Sequence, residues 1–77
     1  MTVVETIVEL ISPYIGPHMA RAAVEAHSKH LGLDPQDLSA PGLEALASRI
    51  GLGLELFVGK DKSTKIQQEI LNIPLKP

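Results

Sequence analysis

The stretch AAVEAHSKHLG, residues 22–32, holds two of the three histidines of the chain, His27 and His30, one helical turn apart. Imidazoles at that spacing on a helix can ligate one metal ion or a haem iron. They can also act as a proton switch, because histidine alone has an unperturbed pKa, roughly 6.5, in the physiological range. On a helix, Met19, Ala23, Ala26 and His30 share one stripe. His27 extends it together with Ala20, Val24 and Leu31. Both histidines are therefore expected on or beside an apolar face, and Arg21, Glu25, Ser28, Lys29 and His18 on the wet side. The ordinary alternative is two packed histidines bonded to backbone. A closed zinc site usually needs four ligands, and no spacing singles out a third; Glu55 is one candidate among several.

Other chemistry is thinner. Ser28 is adjacent to His27, but neighbours on a helix point in different directions and do not make a nucleophile–base pair. No paired acids or hydrolase elbow stand out, so the expectation is a protein that is not an enzyme. Gly51-Leu52-Gly53 has the look of a phosphate loop, yet no strand precedes it. Lys60, Lys62 and Lys65 could form a local basic patch for nucleic acid. Asp61 interrupts that patch, and cations at a helix N-terminus oppose the helix dipole.

The elements that must position these residues read as helices. Thr2 precedes Glu5 at the spacing of a capping box, which opens helix 1 from Val3 to about Ser12. Val3, Val4, Ile7, Val8, Leu10 and Ile11 give that helix a wide apolar sector that calls for more than one neighbour. Pro13, Gly16 and Pro17 break the chain, and helix 2 then runs Pro17–Leu31, closed by Gly32 with Leu33 folding back. Asp34 caps a short turn at Pro35, and Ser39 caps helix 3, whose Leu43, Leu46, Ala47 and Ile50 share a face. Leu52–Phe57 is expected as a separate short helical segment ended by Gly59. The alternation of Leu52, Leu54, Leu56 and Val58 leaves open a strand over residues 52–58 paired across a dimer. Helix 4 opens at Lys60 or Asp61, spaces Ile66, Ile70 and Ile73 for burial, and stops at Pro74, leaving a frayed tail over residues 74–77. No internal repeat is evident.

With 77 residues, one domain is expected, and its thin core makes association a natural stabiliser. The absence of cysteine removes disulfides and thiolate metal sites, and one Phe, one Tyr and no Trp leave a core of Leu, Ile, Val and Ala. A formal net charge of −2 with seven dispersed basic residues argues against nucleic acid as partner. No apolar run is long enough for a membrane span and no basic leader precedes Glu5, so a cytoplasmic protein is expected.

The stretch SPYIGPHMARAAVEAH resembles small helical accessory segments at the C-terminal ends of bacterial signalling proteins, among them serine/threonine kinases and Roadblock-type regulators. Tyr14, Ile15, Gly16 and Pro17 match the Tyr-Ile-Gly-Pro turn that leads into an alanine-rich helix there, and the likeness extends from Ser12 to about His27. It implies a regulatory or docking role in a bacterial cytoplasm and transfers no catalytic residue. The chain contains no kinase or Roadblock region.

These readings converge on an all-α compact bundle of four main helices plus one short helical segment. The expected function is a non-enzymatic protein–protein interaction or regulatory module, self-associating as a homodimer, with a signalling protein as a further partner and no cofactor. Ile7, Ile11, Tyr14, Met19, Ala23, Ala26, His27, His30 and Phe57 are its expected contact face, with Tyr14 and Phe57 as aromatic anchors. Two alternatives stay open: a metal or cofactor binder using His27 and His30, and a weak nucleic-acid binder through residues 60–65.

Overall fold

The computed structural model describes residues 2–34 and 38–74. Among them the chain forms α1 (Val3–Ile15), α2 (Pro17–His30), α3 (Ala40–Val58) and α4 (Lys60–Leu71), with no strand. The all-α bundle expected from the periodicity is therefore the fold. The strand over residues 52–58 is not formed, and the tail at 75–77 and the Pro35 turn lie outside the described residues.

The helix ends follow their local chemistry. Thr2 and Glu5 close the capping box: the Glu5 amide donates to Thr2 Oγ1 at 3.2 Å, while the Thr2 amide donates to Glu5 Oε1 at 3.2 Å. These bonds to Thr2 backbone and hydroxyl hold the Glu5 carboxyl below its usual pKa. At the end of α2, Gly32 takes a φ of 70°, its amide donates to the Lys29 carbonyl, and the Leu33 amide donates to the Ser28 carbonyl. That pair of bonds is the Schellman motif, and Leu33 packs back on the core as expected. Ser39 accepts from the Gly42 amide at 3.4 Å and so caps α3.

Three boundaries depart from the sequence reading. Helix α1 continues through Pro13 to Ile15. Pro13 is exposed, so the carbonyl it leaves without an amide partner lies on the solvated side, and the Ser12 hydroxyl donates to the Val8 carbonyl beside it. Helix α4 stops at Leu71, one turn before Pro74. The third departure is the largest: helix 3 and the short segment are one helix of 19 residues running straight through Gly51 and Gly53.

Tertiary packing explains that continuity. Each helical glycine costs about 1 kcal/mol relative to alanine, but Gly51 sits where α4 packs tightly against α3. The Ser63 hydroxyl donates to the Gly51 carbonyl, and a Cβ at Gly51 would collide with the Gln67 side chain. The apparent alternation of leucines resolves into two faces of a helix, with Leu54 buried and Leu52 and Leu56 exposed.

Helix α1 packs mainly on α2 and α3 mainly on α4. Helices α1 and α3 each touch all three others, whereas α2 and α4 do not meet. The two most apolar helices thus form the central pair, which is how the wide apolar sector of α1 finds several neighbours. Val4, Ile7, Val8 and Ile11 enclose the core with Leu43, Leu46, Ile50, Leu54, Ile66 and Ile70.

The two hairpins are built alike, a repeat that residue identity conceals. Gly16 (φ 87°, ψ 153°) and Gly59 (φ 87°, ψ 164°) are each the sole residue between two helices, ending one and starting the next. At matching distances from them stand Ile7 and Ile50, Ile11 and Leu54, Ala20 and Ser63, all buried. Tyr14 and Phe57 also match, and both are exposed.

Candidate functional site

The inward face of α2 is Ala20, Val24 and Ser28. This corrects the expectation that Ser28 belongs to the wet side: its side chain is fully buried and its hydroxyl has no hydrogen-bond partner among the described residues. No Ser28–His27 dyad forms. Met19, Ala26 and His30 are exposed, and Ala23 and His27 are half-buried at the edge of the bundle.

Two of the residues expected on a contact face are withdrawn from it. Ile7 and Ile11 have no exposed surface; the wide apolar sector of α1 is used inside the domain. The remaining ones divide. Met19, Ala23, His27 and Phe57 line a groove of about 190 Å³ between α2 and α3, floored by Ile11, Ile50 and Leu54. Tyr14 stands apart from it, with the Lys62 ammonium 5.7 Å from its ring centroid, a cation–π contact.

Sequence reasoning missed Gly53 in the lining of this groove, and Arg49 and Leu56 on the strip of α3 that runs through Gly53. Leu56 is 91% exposed, Phe57 65% and Met19 53%, a concentration of large apolar side chains in water that a domain with so little core has not buried. Gly53 forms the α3 wall, and the His27 ring lies over it: a Cβ at Gly53 would meet His27 Nε2 at 3.8 Å. Arg49 stands one turn before Gly53, on the same strip of α3. The signal that could have found them was the single helix, since only a continuous α3 puts Arg49, Gly53 and Leu56 together.

The electrostatics are those of an apolar site with one fixed cation. Burial lowers the pKa of His27 below its ordinary 6.5, and the charges of Arg49 and His30 lower it further. The folded state thus favours neutral His27. A group with a depressed folded pKa gives stability that is present above its unfolded value near 6.5 and is lost as pH falls through the folded one. The urea midpoint is expected to fall below about pH 6.5, and His27→Gln to flatten that fall. An identical pH profile for His27→Gln would refute the assignment.

Because Gly53 is exposed, helical and free of close contacts, Gly53→Ala is expected to raise stability by about 0.5–1 kcal/mol through helix propensity. A higher urea midpoint at unchanged slope checks it; a lower midpoint would mean that the helix does not run unbroken through this position.

For metal chemistry the histidine pair finds no support within one chain: among the described residues no three His, Asp or Glu side chains gather. His27, Lys29 and His30 also occupy the last turn of α2, where basic side chains complement the helix dipole. Lys60, Lys62 and Lys65 border a shallow surface depression at the start of α4, together with Asp61. No helix among the described residues is long and apolar enough to cross a membrane.

Set against family models, curated proteins and solved structures, the chain finds no match in any of the three.

Proposed function

We propose that this small all-α domain is a non-enzymatic protein-docking module whose contact face is the α2–α3 groove and its rim. The observation that supports this reading is that Met19 and Phe57, both more than half exposed, line one apolar groove, with Leu56, 91% exposed, next to Phe57 on α3. A groove of about 190 Å³ is smaller than the several hundred Å³ typical of small-molecule pockets, and it suits the side chains of another protein surface. The likeness of Ser12–His27 to accessory segments of bacterial signalling proteins agrees with a regulatory, cytoplasmic setting. Both a second copy of the chain and a different protein fall within this reading.

The test separates side chains kept for docking from those kept for folding. Leu56→Gln and Phe57→Gln are expected to leave the urea midpoint nearly unchanged, within about 0.5 kcal/mol, because neither side chain is buried in the free domain. In sedimentation equilibrium, self-association through this face gives a mass above the monomer that Leu56→Gln returns to the monomer; a wild-type monomer assigns the face to another protein. Losses of the size seen for core substitutions would overturn the reading, since the face would then be part of the fold.

A further inference from the structure

The charge distribution around the groove narrows what can occupy it, and this step rests on the docking reading above. Helical periodicity places Glu25 on the far side of α2 and Glu44 and Glu55 on the far side of α3, away from the groove. The groove lining contains no carboxylate. Arg49, whose charge acts on His27 in the groove wall, is half-buried: its Nε is shut off from solvent without an acceptor among the described residues, and no ion pair neutralises the guanidinium, whose terminal nitrogens are the ones left to meet a partner. A desolvated guanidinium nitrogen without an acceptor is unfavourable, and a carboxylate is the partner that best matches its planar set of donors.

We propose that the α2–α3 groove receives the apolar face of an amphipathic helix from a different protein, and that an Asp or Glu beside that face pairs with Arg49. A helix fits for two reasons. The described residues offer no strand edge to extend, so the groove between two helices is completed by a third, as in bundle packing and helix-in-groove recognition. Its walls are also low, with Ala23 on α2 and Gly53 on α3, which lets a third backbone come near while larger side chains settle between Met19 and Phe57.

A second copy is the weaker occupant on the same grounds. A two-fold contact places the same patch on both sides. The groove lining holds no carboxylate, so a symmetric pairing of this face offers neither Arg49 guanidinium an acid. Exchange of the apolar contact alone does not remove that deficit.

The experiment is a selection on the intact domain. A displayed library of helical peptides, with leucines fixed at one-turn intervals along one face and the other positions randomised, is panned against wild type and against Arg49→Gln. The expected result is enrichment of Asp or Glu at one or two positions flanking the leucine stripe with wild type, absent with Arg49→Gln. The best peptide should bind Arg49→Gln about tenfold or more weakly. Changing its acid to the amide should cause a similar loss in wild type and little further loss in Arg49→Gln. Enriched peptides without an acid preference, or binding indifferent to Arg49→Gln, overturn the pairing and leave the docking face standing. A wild-type dimer that Leu56→Gln dissociates assigns the groove to a second copy and overturns the proposal. No enrichment of any helix overturns this inference, while the docking reading stands or falls on the urea and sedimentation results for Leu56→Gln and Phe57→Gln. If Arg49→Gln fails to fold, the acid-to-amide change in the peptide carries the same decision.

Discussion

Ile11→Ala is expected to lower the unfolding free energy by about 2–5 kcal/mol, the range for truncating a buried branched side chain into a cavity. Ile11 has no exposed surface and sits where α1, α2 and α3 meet under the groove. Ile7→Ala should cost a similar amount, because Ile7 is equally buried one turn earlier on α1. A domain of 77 residues has a total stability of roughly 4–12 kcal/mol, so either change removes a large part of it. Urea titration with circular dichroism reads the result. A change below about 0.5 kcal/mol, the usual size for surface sites, would return these residues to an exposed contact face.

The second large effect is expected at the two interhelical joints. Gly16 and Gly59 combine φ near 87° with strongly extended ψ, a region of backbone space open essentially to glycine. Gly16→Ala and Gly59→Ala should each destabilise by about 1–3 kcal/mol. The origin is purely conformational, since a Cβ at either position would have nothing within 4 Å. These substitutions therefore contrast with Gly53→Ala, where the same chemical change falls in helical backbone and is expected to stabilise. If all three glycine substitutions shifted the urea midpoint in the same direction, the backbone assignment at the joints would be contradicted.

The joints also carry the hydrogen bonding of two helix ends at once. The Gly16 amide donates to the Ser12 carbonyl while its own carbonyl accepts from Ala20. Gly59 does the same between Glu55 and Ser63. One residue thus ends one helix and begins the next, which explains why the hairpins are tight and why no longer loop separates their helices.

What the sequence made legible was local. The Thr2–Glu5 box, the Gly32 cap with Leu33 folding back, the Ser39 cap and the inward isoleucines of α4 depend on residues within a turn of one another. Their chemistry can be read from spacing alone. Gly51 and Gly53 look like punctuation for the same reason: local propensity speaks against a helix there. At Gly51 the tolerance comes from α4, which approaches closely enough for Ser63 to bond its carbonyl. The inward turn of Ser28 and the burial of Ile7 and Ile11 likewise depend on which neighbours each helix meets. The repeat escaped notice because matched positions share burial while differing in chemistry, as Ala20 and Ser63 do.

The candidate site was partly legible. Met19, Ala23, His27 and Phe57 were expected on a contact face and line the groove. Arg49, Gly53 and Leu56 were not expected there, because the reading divided α3 just where those residues come together. Of the two histidines, His27 lies in the wall of the groove beside Gly53, whereas His30 is exposed and outside the lining.

The most direct test of the account is a chemical-shift map of the isotope-labelled domain titrated near neutral pH with an acid-bearing helical peptide selected on it. The account predicts that the largest amide shifts fall on Ala23, His27, Gly53, Leu56 and Phe57, and that they vanish in Leu56→Gln while its fold persists. Shifts centred on α4 or the outer face of α1, or a map unchanged in Leu56→Gln, would contradict it.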